Sequence, residues 1–171
     1  MSTRIDDEVG TMDKRYLIVG LLDDKRKLIA QLLADKLSFI YLDIDELIDY
    51  QLVNKKNLAL AGRDYFDKIQ HSCIRQATDC VNTVATLSTE LYLYADYAQI
   101  LSSFCVIFVN FAKNDILSNI STYPQERRQE IENRLAVHDE LTFSMRQYAD
   151  HEIQYTTDKH LIDEILLRIG G

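Results

Sequence analysis

Short apolar runs alternate with helical patterns along this chain, and this alternation restricts its fold more than any other feature. The clearest run, residues 104–109, is apolar at every position, which is typical of a strand buried on both faces of a parallel sheet. The other predicted strands are residues 15–20, 38–42, 82–87 and an edge-like segment at 152–156. Strands that alternate with helices predict an α/β fold: a doubly wound, five-stranded, mostly parallel sheet with helices on both faces.

Amphipathic periodicity fills the intervals between these strands. In the last predicted helix, for example, Leu161, Ile165 and Ile169 recur at helical spacing. Residues 1–14 are polar and acidic and are predicted to form a flexible leader to a single domain, residues 15–171. Helices are predicted at residues 25–37, 43–53, 64–80, 91–101, 125–149 (broken once) and 158–169, with a loop at 119–124.

The charge of the chain argues against two classes of partner. The formal net charge is −8, and nucleic acids and anionic membranes need a basic face, so neither is an expected partner. No signal peptide or membrane-spanning run is evident. Cys73, Cys80 and Cys105 form no CxxC pair and are predicted to be buried free thiols in a reducing compartment. The expected location is the cytoplasm.

The loop after the first predicted strand is the leading candidate for a binding site. In doubly wound folds, ligands bind at the carboxyl ends of the strands. Residues 20–27 read Gly-Leu-Leu-Asp-Asp-Lys-Arg-Lys, and they have the place and length of a phosphate-binding loop, G-x-x-x-x-G-K-[ST]. The second predicted strand ends in Asp43-Ile44-Asp45. We therefore expect the site at these two strand ends.

Later segments complete a family pattern. From residue 39 the sequence reads Phe-Ile-Tyr-Leu-Asp-Ile-Asp-Glu-Leu-Ile, followed by Gly-Arg-Asp-Tyr-Phe at 62–66, Val-Ala-Thr at 84–86 and Tyr-Ala-Asp at 148–150, before Ile153 and Thr156. In this order and spacing, the segments resemble the shikimate kinase family, P-loop kinases of the nucleoside-monophosphate-kinase-like fold, over about residues 15–169. The resemblance implies phosphorylation of shikimate from ATP and magnesium.

The same resemblance assigns a role to each position of the loop, and the chain departs from most of them. Gly20 keeps the first glycine, whereas Lys25 replaces the second. Arg26 stands at the catalytic lysine, and Lys27 replaces the hydroxyl residue that binds magnesium. Gly20, Lys25, Arg26 and Lys27 are thus the candidate cofactor-binding residues of a degenerate P-loop.

Both polar clusters at the strand ends have two interpretations. Residues 25–27 form either an anion site at a helix N-terminus or a solvated turn, and Asp23 and Asp24 beside them would repel a polyphosphate. Asp43 and Asp45 match the family's D-x-D, which implies a metal site at Asp43 and a substrate-binding role for Asp45. Asp43 is equally suited to be a helix N-cap.

The positions that hold shikimate in the family also differ here. Asp67 stands where the family has the arginine that grips the substrate carboxylate. Leu87, Ser88 and Thr89 stand at three glycines that let the substrate ring approach the backbone. A substrate that carries a carboxylate would therefore meet repulsion and a filled space.

The remaining arginines of the family pattern are also missing. The lid-like segment, around residues 113–130, lacks the R-P-[LF] motif that supplies an arginine to the transferring phosphate. The last substrate arginine aligns with Leu141, and Arg134 or Arg146 takes its place only if the alignment shifts.

These departures predict a catalytically inactive pseudokinase, a protein-binding or regulatory module with no expected cofactor and an unknown protein partner. Tyr92, Tyr94 and Tyr97 are candidate contact residues, because tyrosine is enriched at interfaces. One alternative is a divergent but active kinase, which would use ATP and magnesium on shikimate or a related hydroxylated acceptor. A second alternative is a non-catalytic sensor of a small ligand, which requires an open polar cavity near Asp45.

Overall fold

The five predicted strands are present, and they form one parallel sheet. The computed structural model describes residues 14–53 and 58–170 of the chain. In the order β2-β3-β1-β4-β5, each neighbouring pair of strands runs parallel. The predicted doubly wound α/β fold is therefore confirmed. The strands are β1 (Arg15–Val19), β2 (Ile40–Asp43), β3 (Thr83–Thr86), β4 (Cys105–Asn110) and β5 (His151–Gln154).

Helices connect successive strands and continue from the last one. Gly62 interrupts the start of the third helix with a φ of 78°, a left-handed value that glycine adopts without steric cost. The predicted break in residues 125–149 falls at Val137. The helices are α1 (Asp23–Leu37), α2 (Ile44–Val53), α3 (Leu58–Thr78), α4 (Thr89–Tyr92), α5 (Tyr97–Ile100), α6 (Lys113–Asn119), α7 (Gln125–Ala136), α8 (His138–Tyr148) and α9 (Asp158–Gly170).

Both faces of the sheet are covered, as the apolar character of the strands predicts. Alternate residues of a strand point to opposite faces. In β1, Ile18 therefore packs in a core with α1, α7 and α9, whereas Leu17 and Val19 pack in a second core with α2, α3 and α8. Burial on both faces holds β1 and β4 rigidly, so the loops at their carboxyl ends start from fixed positions.

The predicted helix at residues 91–101 is wrong as a single element. A first short helix, α4, begins after Ser88, whose Oγ accepts a hydrogen bond from the Leu91 N–H at 3.3 Å. It ends at Tyr92, and Ala95 then adopts a left-handed φ of 51°, which breaks the helix before α5 begins. Apolar spacing does not reveal such a local turn, since residues on both sides of it still face the core.

The structure also corrects the prediction that Tyr92, Tyr94 and Tyr97 are all candidate contact residues. Tyr92 and Tyr97 are buried in the core, whereas Tyr94 is 43% exposed. Of the three tyrosines, Tyr94 alone therefore remains a candidate for contact with a partner.

Two further predictions concern the rest of the chain. The predicted leader, residues 1–14, lies outside the described residues except for Lys14. Cys73 is buried and Cys105 is half-buried, but Cys80 is exposed, so the prediction of buried thiols is wrong for Cys80. No helix within the described ranges is long and apolar enough to cross a membrane.

Candidate functional site

The loop between β1 and α1 lies at the carboxyl edge of the sheet, where the sequence predicts the site. Helix α1 begins at Asp23, two residues before the predicted start, so Asp23 and Asp24 lie in its first turn and favour it electrostatically. Gly20 packs closely against β4 and the residue after it. A Cβ on Gly20 would lie 2.9 Å from both Phe111 Cε2 and the Val109 carbonyl oxygen. Close packing against β4 is therefore enough to explain why position 20 requires glycine.

Arg26, at the position of the family's loop lysine, is turned into the protein. Its side chain is 1% exposed. Nη1 donates a hydrogen bond to Thr86 Oγ1 at 2.5 Å, and Nη2 donates to Asp23 Oδ1 at 3.2 Å. Thr86, the last residue of β3, in turn donates to the Ile18 carbonyl oxygen at 2.8 Å. The guanidinium therefore links the start of α1 to the ends of two strands.

The two lysines beside Arg26 point elsewhere. Lys25 Nζ lies 3.4 Å from Asp158 Oδ2, at the start of α9. Lys27 Nζ lies 3.5 Å from the buried carboxylate of Asp43. The structure thus separates the three predicted phosphate-site cations, since each faces a different carboxylate.

Asp23 is surrounded by arginines. Besides Arg26, Arg134 Nη1 lies 3.1 Å and Arg127 Nη2 3.4 Å from Asp23 Oδ2. Burial acts to raise the pKa of Asp23, but the charges of Arg134 and Arg26 outweigh it and hold this pKa below its usual value. Asp23 is therefore a firmly ionised carboxylate, and the sequence-based expectation of repulsion in the loop misses this local compensation.

Arg134 joins the loop to two further elements. It reaches from α7, forming a bidentate pair with Glu90 of α4 at 2.7 and 2.9 Å. Its Nη2 also donates to Glu130 at 3.0 Å, and its Nη1 donates to the Leu21 carbonyl oxygen at 3.1 Å. Burial acts against the charge of Arg134, but Asp23 and Glu90 raise its pKa, so the guanidinium stays charged. The loop, α4 and α7 are thus held by one side chain.

The two aspartates of the D-x-D have different surroundings. Asp43 Oδ1 accepts a hydrogen bond from the Glu46 N–H at 3.2 Å, which is the N-cap interaction for α2. Asp45 accepts two hydrogen bonds from Ser88, from its N–H at 2.6 Å and from its Oγ at 3.0 Å. Burial raises the pKa of Asp45, and the Ser88 hydrogen bonds partly oppose this shift.

A cavity of about 360 Å³ lies beside Asp45, between α2, α3 and α4. Its wall carries four carboxylates, and among the described residues that line it Arg63 is the single cation. Arg63 Nε itself lies 3.8 Å from Asp67 Oδ1. The cavity therefore has an acidic character. The residues that give it this character are Asp45, Asp49, Asp67 and Glu90, next to Gln70 and Tyr94.

Sequence reasoning missed part of this arrangement. The sequence suggests Arg134 only as a substitute for the last substrate arginine, and only if the alignment shifts. Arg146, the other candidate for that position, instead pairs with Glu152 away from the loop. The spacing of Glu130 and Arg134 signals an ion pair along one helix. No local pattern signals Glu90, because it meets Arg134 only through the tertiary fold.

The fold and the loop define the class of the protein. A parallel sheet in this order, with a loop from the central strand into a helix at its carboxyl edge, is the architecture of the P-loop kinases that this chain resembles in structure. Within that class, the chain belongs to the shikimate kinase family, whose model, described as "Shikimate kinase", matches residues 27–169. The matched segment begins after most of the loop, which therefore lies outside it.

Solved structures agree with this assignment at the level of the fold. Shikimate kinase from Bacteroides thetaiotaomicron is 12% identical, with a TM-score of 0.71 over 92% of this chain and 99% of that chain. Shikimate kinase from Acinetobacter baumannii in complex with shikimate is 15% identical, with a TM-score of 0.71 over 95% of this chain and 96% of that chain. Shikimate kinase from Aquifex aeolicus is 18% identical, with a TM-score of 0.66 over 92% of this chain and 96% of that chain. No curated protein sequence matches the chain.

Proposed function

We propose that this chain is a catalytically inactive member of the shikimate kinase family, a pseudokinase that works by binding. The observation that carries the proposal is the position of Arg26, whose guanidinium is buried between Thr86 and Asp23. Phosphoryl transfer in P-loop kinases needs a loop cation that reaches the nucleotide phosphates. A guanidinium that is buried against Thr86 and paired with Asp23 is already engaged within the protein, so it is not a free loop cation for a nucleotide.

The surroundings of Asp43 support the same proposal. In the family, a hydroxyl residue at position 27 and the aspartate at position 43 lie near magnesium. Here the Lys27 ammonium, 3.5 Å from Asp43 Oδ2, places a positive charge beside that carboxylate. An ammonium group has no free electron pair to bind a metal ion. These residues do not fit a magnesium–nucleotide complex, and we propose that the chain uses neither group.

The residues at the family's shikimate-binding positions also support the proposal, because they favour loss of shikimate binding. Leu87 and Thr89, at two of the family's glycine positions, have buried side chains, and Thr89 Oγ1 donates to the Gly20 carbonyl oxygen at 3.3 Å. Asp67, at the position of the carboxylate-binding arginine, adds negative charge to the cavity. A shikimate carboxylate in that cavity would be repelled rather than held.

The expected effect on catalysis is large. Loss of one group that stabilises the transition state typically costs about 3 kcal/mol, so two independent losses give about 6 kcal/mol, or about 10⁴-fold in rate. The changes at Arg26 and Lys27 alone supply two such losses. The protein would then act on its partner or ligand through binding.

Calorimetric titration with magnesium-ATP tests the proposal. We expect no binding heat up to about 1 mM nucleotide, which corresponds to a binding free energy weaker than about −4 kcal/mol. The same titration with ATP and excess chelator controls for metal-dependent effects. Micromolar, magnesium-dependent binding would contradict the proposal and favour the divergent kinase that uses Arg26, Asp43 and Asp45.

The cavity beside Asp45 favours a second candidate function, the sensing of a small ligand without turnover. Its volume of about 360 Å³ is in the range of small-molecule sites, and its wall offers several polar groups. Ligand-observed NMR with a panel of small hydroxylated and cationic molecules tests this function. Hits should be lost in an Asp49→Lys variant, which alters the wall, and kept in Asp35→Lys, a matched change at an exposed aspartate of α1. Hits that survive both changes would place binding outside this cavity.

A further inference from the structure

The carboxylate of Asp23 has more cationic partners than neutralisation of one aspartate requires. Oδ1 accepts a hydrogen bond from Arg26 Nη2 at 3.2 Å. Oδ2 lies 3.1 Å from Arg134 Nη1 and 3.4 Å from Arg127 Nη2. Three guanidinium groups around one anion are typical of a site for phosphate or sulfate, which offer more charge and more acceptor oxygens than a carboxylate.

These contacts connect two separate elements of the chain. Asp23 and Arg26 belong to the first turns of α1, whereas Arg127 and Arg134 belong to α7, whose first half lies within the lid-like segment. The crevice between the loop and α7 has no space for a water molecule. The carboxylate thus fills the point at which α1 and α7 meet.

Arg26 depends on Asp23 more than the other two arginines do. Arg134 also pairs with Glu90 and Glu130, and Arg127 Nη1 lies 3.9 Å from Asp24. For Arg26, Asp23 is the one carboxylate within ion-pair distance among the described residues. Without it, a buried guanidinium would keep its hydrogen bond to Thr86 but no counter-charge, which is costly enough to recruit an anion from solution.

We propose that Asp23 is a built-in substitute for an oxyanion ligand, and that it latches α7 onto the loop in the absence of any nucleotide. The lid-like segment is then held closed by the chain itself. Removal of the Asp23 carboxylate would expose an oxyanion site formed by Arg26, Arg127 and Arg134. This proposal extends the proposed function, because it assigns a structural role to a loop from which we infer that nucleotide binding has been lost.

Two neighbouring aspartates allow a matched test with inorganic phosphate as the probe. Asp23→Ala removes the latch, whereas Asp24→Ala removes an equal charge from an exposed neighbour whose side chain is 65% exposed. Phosphate is titrated by calorimetry into wild type and both variants, with potassium chloride added to keep the ionic strength constant. We expect Asp23→Ala to bind phosphate at least about tenfold more tightly than wild type and Asp24→Ala. Equal phosphate affinity in the three proteins would overturn the proposal.

Hydrogen exchange provides a second readout that does not require phosphate to fit the site. Amides of residues 125–136 should exchange faster in Asp23→Asn, which keeps the shape of the side chain but removes its charge, than in wild type or Asp24→Asn. Unchanged exchange in Asp23→Asn would show that the charge does not latch α7. This result is separate from the proposed function, which the wild-type titration with magnesium-ATP decides.

Discussion

Two regions lie side by side at the carboxyl edge of this sheet, and they differ in how their charges are satisfied. Around the β1–α1 loop, Asp23 meets three guanidinium groups within 3.1 to 3.4 Å, and the crevice between the loop and α7 is too narrow for a water molecule. Beside Asp45, a cavity of about 360 Å³ carries four carboxylates and one described cation. If the β1–α1 loop is the former nucleotide site, as we propose, the chain's own side chains now occupy it, whereas the cavity beside Asp45 stays open and acidic.

The contrast appears in two aspartates of the same chain. The arginine charges outweigh burial at Asp23 and lower its pKa, whereas burial dominates at Asp45 and raises its pKa. Burial alone therefore does not decide the protonation of a carboxylate in this protein. The surrounding counter-charges also set the pKa, and of the two regions only the one around Asp23 has them in excess.

The largest expected effect is a loss of folding stability when Arg134, which pairs with Asp23 and Glu90, is replaced. Arg134→Met removes the partner that Asp23 and Glu90 share. Because Asp23 keeps Arg26 and Arg127, we expect a loss of about 2 kcal/mol, the typical value for hydrogen bonds between charged groups. Arg146→Met is the matched control, because its pair with Glu152 is exposed and contributes at most about 1 kcal/mol. Urea unfolding measures both free energies. Similar losses for the two variants would show that the network around Asp23 adds no special stability.

A smaller effect is expected in the pH dependence of folding stability, and its sign is opposite for Asp23 and Asp45. Because the folded pKa of Asp23 is lowered, its ionisation stabilises the fold above the unfolded value of about 4, and this stability is lost as the pH falls through the folded pKa. Because the folded pKa of Asp45 is raised, the fold loses stability as the pH rises from about 4 through that value.

Carboxyl-carbon NMR measures both values directly. The expected order is Asp23 lowest, a free aspartate next and Asp45 highest. In Arg134→Met, the pKa of Asp23 should rise while that of Asp45 stays unchanged. The reverse order of the two aspartates would contradict the contrast between the regions.

The smallest expected effect on stability is at Tyr94, on the open region. Tyr94→Ala removes a side chain that is 43% exposed, lines the cavity and contacts the Tyr97 ring at a centroid distance of 5.8 Å, so the free energy of unfolding should fall by only about 1 kcal/mol. A ligand or partner that uses the cavity wall should nevertheless bind more weakly. If Tyr94→Ala leaves every detected interaction unchanged, this face is removed as a contact surface.

Much of the fold could be predicted from the sequence, because strands buried on both faces leave continuous apolar runs such as residues 104–109. The residues at the strand ends could be predicted too, since parallel strands bring their carboxyl ends to one edge. The break after Tyr92 could not, because it depends on the backbone turn at Ala95 and leaves the apolar spacing almost intact.

The chemistry of the loop was predictable only in part. The sequence places Asp23 and Asp24 together as repelling charges, but the fold gives them different surroundings. Asp23 is enclosed by arginines from α1 and α7, whereas Asp24 is largely exposed. The spacing of Asp23 and Arg26 along one helix is a local signal, but Arg134 lies more than a hundred residues away, and only tertiary structure brings it to Asp23.

Turnover is the most direct test of the central claim that this member of the shikimate kinase family does not transfer phosphate. ADP formation is followed in a mixture of magnesium-ATP, shikimate and purified protein, with an Asp43→Asn variant prepared in parallel to reveal contaminating kinases. For a pseudokinase, we expect a rate equal to that without protein, and the same rate for both proteins. Shikimate-dependent ADP formation by the wild type, lowered at least about tenfold in Asp43→Asn, would contradict it.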